Sequence, residues 1–256
     1  MVVQLYSSPA GAELVSSERF ERKYYVAPRE IELAYGLLRQ TCLPTGDFAS
    51  EQINNLYFDT FDLDQHERSA SGDYRKDKAR IRWYGQEPCR EVTQSIFLEL
   101  KSRQGFTGTK QRLKLTVPAK ALALERLSEG IIPRTLLMDT LARFGYFPSE
   151  MLQPIIKISY WRDRFIEMMT GQCISLDHHI RSAMIAPGAG NGETHLELPG
   201  AVIEIKGKSM ELPLTLRQTR MLDTDWTRFS KYSACIDSHM SDPGSIGQLS
   251  PSGKII

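Results

Sequence analysis

Five segments place charged side chains, mostly Lys and Arg, at alternate positions within stretches of strand-like composition. They are Glu21 and Lys23 in RFERKYYV; Lys78, Arg80 and Arg82 in KARIRWYG; Glu99, Lys101 and Arg103 in FLELKSR; Lys110, Arg112 and Lys114 in KQRLKL; and Glu204 and Lys206 in VIEIKG. Residues two apart on a strand share a face, so each segment offers one charged face and one apolar face. Fixed cations in this density call for an anion. Arg gives planar, two-pronged hydrogen bonding to phosphate oxygens and Lys a mobile point charge. The carboxylates on the same faces, Glu21, Glu99 and Glu204, have a use in holding a divalent cation that bridges phosphate oxygens.

The elements that must position these side chains can be read along the chain. Pro28 opens a helix to about Gln40, with Ile31, Ala34, Tyr35 and Leu38 at helical spacing. QINNLYFDT reads as a strand, DTFDLDQHERSAS as an acidic loop with one helical turn, and DYRKDKARIRWYG as a second long strand. FLELKSRQGFTGTKQRLKLTV has the composition of a hairpin. Two helices follow, PAKALALERLSEG stopped by Gly130 and PRTLLMDTLARFG bounded by Pro133 and Gly145. PIIKISYWRDRFIEM, QCISLDHHIRSAM and VIEIKG are strands, and PLTLRQTRMLD is helical before a final RFSKYSAC. This is about eight strands with four helices and no regular β-α alternation. The class is therefore α+β, a mostly antiparallel sheet with peripheral helices. Residues 1–17 and the tail 238–256 read as flexible, leaving one folded domain over 18–237.

If helices cover the apolar faces, the basic faces either lie open to water or curl inward into a barrel. About eight strands can enclose one small ligand. The totals agree with a local rather than general affinity for anions: 32 Lys and Arg stand against 31 Asp and Glu in 256 residues. A general nucleic-acid binder would be more basic, and aromatic stacking platforms for RNA are not evident among the charged faces. Nothing approaches the ~18 apolar residues of a membrane helix or the pattern of a signal peptide, so the expected location is cytoplasmic without direct membrane insertion. The four cysteines are scattered without CxxC spacing, which disfavours a zinc site and a disulfide framework. PGAGNGETH lacks the order of a phosphate loop. His178 and His179, as strand neighbours, should point to opposite faces, and Asp59, Asp62 and Asp64 lack the ligand spacing of a calcium loop, reading instead as a solvated acidic loop.

Taken in order, ERKYYV, NNLYFDT, KARIRWYG, FLELKSR with KQR behind it, SYWRDRF, SLD, VIEIK and RFSKY resemble the VTC domain of polyphosphate polymerases, within the triphosphate tunnel metalloenzyme superfamily. The resemblance spans Phe20 to Ala234. It implies an eight-stranded antiparallel β-barrel, a tunnel that binds ATP and polyphosphate with Mn2+ or Mg2+. It implies phosphate binding by Lys23, Arg80, Arg82, Lys101, Arg162, Lys206 and Lys231, with Ser230 in the same FSKY motif. It also implies further lining by Lys78, Lys110 and Arg112, and metal carriage by Glu204. Cys173 stands where relatives often carry an Arg, a loss that either weakens binding or is made up by Arg181. The run Arg19, Phe20, Glu21, Arg22, Lys23 lacks the first Glu of the hydrolase branch's Glu-x-Glu-x-Lys signature, which favours the polymerase-like branch.

Three activities share such a lining: transfer of the ATP γ-phosphate onto a polyphosphate chain with release of ADP, hydrolysis of tripolyphosphate or nucleoside triphosphates, and non-catalytic sensing of polyphosphate or inositol phosphates. The first is the expected one, with a membrane-protein partner for the product left open. No Ser-His-Asp or Cys-His constellation stands out, and phosphoryl transfer needs none.

Overall fold

The computed structural model describes residues 13–15, 20–46, 49–86, 92–105, 107–185, 195–207, 211–222 and 229–241. In chain order the elements are β1 (Glu13–Val15), β2 (Phe20–Val26), α1 (Ile31–Thr41), β3 (Cys42–Pro44), β4 (Ser50–Asp59), α2 (Asp64–Ala70), β5 (Arg75–Tyr84), β6 (Thr93–Gln104), β7 (Thr107–Pro118), α3 (Arg134–Arg143), β8 (Gln153–Glu167), β9 (Cys173–Met184), β10 (His195–Leu198), β11 (Ala201–Gly207) and α4 (Lys231–Met240). The α+β class with an antiparallel sheet and peripheral helices is as expected. Eleven strands replace the expected eight only because β1, β3 and β10 are short pieces of three, three and four residues. Among the described residues the pairings run as an open series rather than a closed ring.

The chain divides into two compact units. Unit 1 takes Met1–Ser17, Ile53–Ile158 and Ser182–His195; unit 2 takes Glu18–Gln52, Ser159–Arg181 and Leu196–Ile256. In unit 1 the strand order is β1-β7-β6-β5-β4-β8. Alternation fixes its faces: Ala79, Ile81 and Trp83 of β5, Ile96, Leu98 and Leu100 of β6, and Leu115 and Val117 of β7 are buried together under Leu127, Ile131, Leu137 and Leu141. The opposite alternation carries Lys78, Arg80 and Arg82. Burying aliphatic side chains of this size stabilises by about 1.5–3 kcal/mol each, which pins the register, since a one-residue slip would send every cation into that core.

In unit 2, β11 pairs with both β2 and β9, β3 pairs with β8, and β10 pairs with β9. Ala34, Leu37 and Leu38 of α1 pack on Ile174 and Leu176 of β9 and Ile203 and Ile205 of β11. The tight passage from β10 to β11 requires Gly200: its φ is +83°, and a Cβ there would lie 2.3 Å from the Val26 carbonyl oxygen.

Local differences from expectation have physical reasons. PAKALALERLSEG forms two 3-10 turns, Ala119–Leu122 and Leu124–Glu129, because Ala123 adopts an extended conformation between them. Leu214–Met221 is also a 3-10 segment. Asp59 is not a solvated acid: it is fully buried and its carboxylate accepts from the backbone amides of Thr60, Gln65 and His66 at 2.8, 2.9 and 3.0 Å. It thereby satisfies free donors at the start of α2. Helix α4 runs to Met240, past the expected start of the tail; most of residues 1–17, residues 242–256 and all of PGAGNGETH but His195 lie outside the described residues. Cys42 and Cys235 are buried free thiols, Cys173 is exposed, and Cys89 lies outside the described residues. No helix among the described residues is long and apolar enough to cross a membrane.

Candidate functional site

In unit 1 the expected lining residues share one sheet face. Residues directly opposite across a ladder point the same way, and the register gives two rows: Lys78 opposite Lys101 opposite Lys110, and Tyr57 opposite Arg80 opposite Glu99 opposite Arg112 opposite Glu13 of β1. Asn55 stands opposite Arg82 in the next row. Arg80 donates to Glu99 Oε2 from Nε at 2.9 Å and Nη2 at 2.7 Å, and from Nη1 to the Tyr57 hydroxyl at 3.1 Å. Arg82 donates from Nε to Asn55 Oδ1 at 2.9 Å and stands 3.9 Å from Glu99. Lys110 pairs with Glu99 Oε1. Lys78 Nζ donates to Ser69 Oγ at 3.0 Å, and the Arg112 guanidinium lies 5.4 Å over the Phe97 ring.

Glu99 is only 1 % exposed. Burial alone would raise its pKa, but Arg80, Arg82 and Lys110 outweigh it and hold the carboxyl well below the usual range. Burial pushes Lys110 down to about 8, with Glu99 opposing that shift and Arg80 and Arg82 adding to it. Glu99 is thus engaged by three cations, not offered to a metal. Six cations, Lys78, Arg80, Arg82, Lys101, Lys110 and Arg112, outnumber the two acids that the register places with them, Glu99 and Glu13. The excess is what an anion would neutralise. Lys114, toward the end of its strand, and Arg103 are exposed and fit the ordinary solvated reading.

Unit 2 assembles a second set around two acids. Lys23 of β2 stands opposite Glu204 of β11, which stands opposite Ser175 of β9. Glu204 Oε1 lies 3.4 Å from both Lys23 and Lys231, and Oε2 lies 3.0 Å from Arg162 and 3.3 Å from Lys206. Asp177, fully buried, receives Arg162 through Nε at 2.6 Å and Nη2 at 2.7 Å, and Lys231 at 2.5 Å. Glu21 lies 3.2 Å from Lys23. The Tyr160 ring lies beneath both cations, with Arg162 at 5.5 Å and Lys231 at 5.0 Å. Against the burial that favours their neutral forms, the four cations hold Glu204 well below the carboxylate range, and Arg162 and Lys231 lower Asp177 against the opposing charge of Glu204. Lys231 shifts the other way: burial would lower it, but Asp177 and Glu204 raise it.

Ser230 is the N-cap of α4, its Oγ accepting from the Ser233 amide at 3.3 Å, so it orients Lys231 as the first helical residue. Cys173 stands opposite Lys206 at an exposed position. Arg181 does not replace a cation there: it pairs with Glu197 at 2.9 Å and its side chain is 62 % exposed. His179 explains why. Its φ of +49° breaks strand alternation, so residues beyond it no longer continue the Cys173, Ser175, Asp177 face. The same break overturns the expectation for the histidines, whose ring centroids lie 5.0 Å apart. His178 contacts Asp163 at 2.9 Å and Tyr35 at 3.1 Å, while His179 contacts Glu197 at 2.9 Å.

Sequence reasoning missed Asn55 and Tyr57 as partners of the paired arginines, Asp177 as the anchor of Arg162 and Lys231, and the Tyr160 platform. Alternation in NNLYFDT placed Asn55 and Tyr57 on one face, but only strand pairing says which face they meet. For a metal, the described residues contain no cluster of three or more His, Cys, Asp or Glu side chains. Glu204 fits a divalent cation only as one ligand among phosphate oxygens, the way Mg2+ is commonly held on a substrate.

The family match places the chain in the triphosphate-tunnel class. Within it, this chain belongs to the VTC domain family, whose family model matches residues 18–240. No curated protein matches it. Among solved structures it is similar to a candidate adenylate cyclase from Bacillus halodurans, at 20 % identity and a TM-score of 0.49, covering 86 % of this chain and 95 % of that one. It is also similar to a candidate adenylate cyclase from Vibrio parahaemolyticus, at 12 % identity and a TM-score of 0.35 over 80 % of this chain and 83 % of that one.

Proposed function

We propose that the chain is a polyphosphate polymerase-type phosphotransferase that moves the γ-phosphate of ATP onto the end of a polyphosphate chain and releases ADP. The observation that carries the reading is the unit 1 face, where strand pairing brings Lys78, Arg80, Arg82, Lys101, Lys110 and Arg112 together in neighbouring rows, a density of fixed cations that suits a polyanion. The family supplies the substrate class.

A terminal phosphate oxygen of the acceptor attacks the γ-phosphorus in line, the bond from that phosphorus to the β–γ bridging oxygen breaks, and ADP leaves. The nucleophile belongs to the substrate, so the protein binds, orients and neutralises charge. Arg80 and Arg82, fixed by Glu99, Tyr57 and Asn55, keep guanidinium planes ready for phosphate oxygens without reorganisation. Lys78, Lys101, Lys110 and Arg112 extend that face. In unit 2, Arg162, Lys23, Lys206 and Lys231 bind phosphate, and Glu204 would hold a Mn2+ or Mg2+ arriving with it. When bound, that ion neutralises charge on the phosphate oxygens. A cytoplasmic location and a membrane-protein partner that takes up the product belong to the same reading.

Purified protein incubated with ATP and Mn2+ tests it, read by gel-resolved chains and by ADP release. Chains with stoichiometric ADP are the expected result. Orthophosphate without chains would identify a hydrolase, and binding of ATP or polyphosphate without turnover a sensor.

A further inference from the structure

We propose that Glu99 is a positioning residue whose charge keeps Lys110 protonated among Arg80, Arg82 and Lys101, so that the unit 1 face loses phosphate affinity along an alkaline limb governed by Lys110. The proposal deepens the phosphate-binding reading and rests on it. Glu99 makes no use of solvent, being 1 % exposed, and its two oxygens divide between Lys110 on one side and Arg80 on the other. Lys110 has no other carboxylate facing it among the described side chains. Lys101 stands directly opposite it on β6, Lys78 lies beyond in the same row on β5, Arg80 and Arg82 approach from β5, and Arg112 follows on β7; Val15 of β1 stands opposite Lys110 on its other side, and Tyr57 and Glu13 end the adjoining row.

A lysine crowded by cations and partly withdrawn from water favours its neutral form, and one close carboxylate opposes that. The direction found for Lys110, down to about 8, is the balance of those influences. The sign follows. Below that value Lys110 is a cation available to phosphate; above it the ammonium is lost, while the guanidinium groups stay charged throughout. Replacing Glu99 by a neutral isostere removes the opposing charge, so Lys110 should deprotonate at lower pH and the limb should move with it.

Two measurements on the full chain separate this from the reading beneath it. Side-chain NMR of the ligand-free protein follows the Lys110 Cε shift against pH, assigned through Lys110→Arg. Calorimetry follows tripolyphosphate affinity over the same range. Wild-type protein should show a Lys110 midpoint near 8 and an affinity loss of about tenfold across it, the worth of one charge-assisted contact. In Glu99→Gln both should move acidward by about one pH unit or more, and in Lys110→Arg the limb should vanish. A Lys110 midpoint unmoved by Glu99→Gln, or a limb that persists in Lys110→Arg, overturns the proposal. If the midpoint moves but tripolyphosphate binds at no pH, the phosphate-binding reading has failed while the coupling of Glu99 to Lys110 stands. Should Glu99→Gln not fold, Lys110→Arg alone decides: loss of the limb supports the proposal and its persistence refutes it.

Discussion

Asp177→Asn isolates the acid on which the unit 2 set is built. Asp177 is fully buried and carries three close contacts, two from Arg162 at 2.6 and 2.7 Å and one from Lys231 at 2.5 Å. Removing one partner of a buried ion pair costs about 3–5 kcal/mol, because the other charge is left without compensation. Here Glu204 remains 3.0 Å from Arg162 and 3.4 Å from Lys231, so the lower end applies, about 3 kcal/mol. For a protein of this size that is a fall of about 6–12 °C in Tm. The pH dependence carries the diagnostic sign. The folded-state pKa of Asp177 lies below the unfolded value, so its stabilisation is complete above about pH 4, the unfolded value, and fades as pH falls through the folded one. Thermal unfolding of wild type and variant from pH 3 to 8 should therefore show a constant gap above pH 5 that narrows only below about pH 4. A gap under about 1 kcal/mol at pH 7, the range of an exposed pair, or one that closes between pH 6 and 8, would refute the argument that this buried acid organises the site.

Four other substitutions probe different links. Arg82→Ala and Lys101→Ala should each weaken tripolyphosphate and ATP binding about tenfold; calorimetry showing unchanged affinity and turnover for both removes the unit 1 face from the site. Glu204→Gln should leave much of the phosphate binding and flatten the response of turnover to Mn2+ titration, whereas an unchanged metal response would take Glu204 out of the metal's coordination. Ile81→Ala, at a fully buried position under the helical layer of unit 1, should lower unfolding free energy by about 2–5 kcal/mol in denaturant titration, and a loss below about 1 kcal/mol would mean that the layer yields and fills the space.

The period of two makes the unit 1 face legible in the sequence itself. Lys78, Arg80, Arg82, Lys101, Lys110 and Arg112 fall on one side because Ala79, Ile81, Trp83, Leu98 and Leu100 must fall on the other. What alternation cannot carry is the identity of the neighbour across the ladder. Glu99 and Glu204 are both lone acids in basic runs and read alike as metal candidates, yet pairing puts Glu99 among Arg80, Arg82 and Lys110 with almost no exposure. Asn55 and Tyr57 became partners of the arginines for the same reason, through a register set between strands. His178 and His179 failed in another way. A positive φ at a residue other than glycine leaves no mark in composition, and that one dihedral at His179 undid both the opposite-face expectation and the idea that Arg181 could stand in at the Cys173 position. The 3-10 turns replacing two expected helices show propensity overruled by the route the chain must take.

The two sets differ in charge balance, and this bears on how each can meet a phosphate. In unit 1 six cations outnumber the acids that the register places with them, Glu99 and Glu13, so a polyanion brings compensation directly and its binding should fall steeply with salt. In unit 2 Lys23, Arg162, Lys206 and Lys231 already face Glu21, Asp177 and Glu204. That set is nearly neutral as it stands, and every phosphate oxygen it takes must loosen an existing ion pair. On the proposed function a divalent cation arriving with the phosphate would change this, since Glu204 could turn to the ion while Arg162 and Lys231 turned to the oxygens. On the proposed function, metal dependence would then follow from the protein's own balance of charge: unit 1 would bind bare tripolyphosphate, whereas unit 2 would bind it only with a divalent cation.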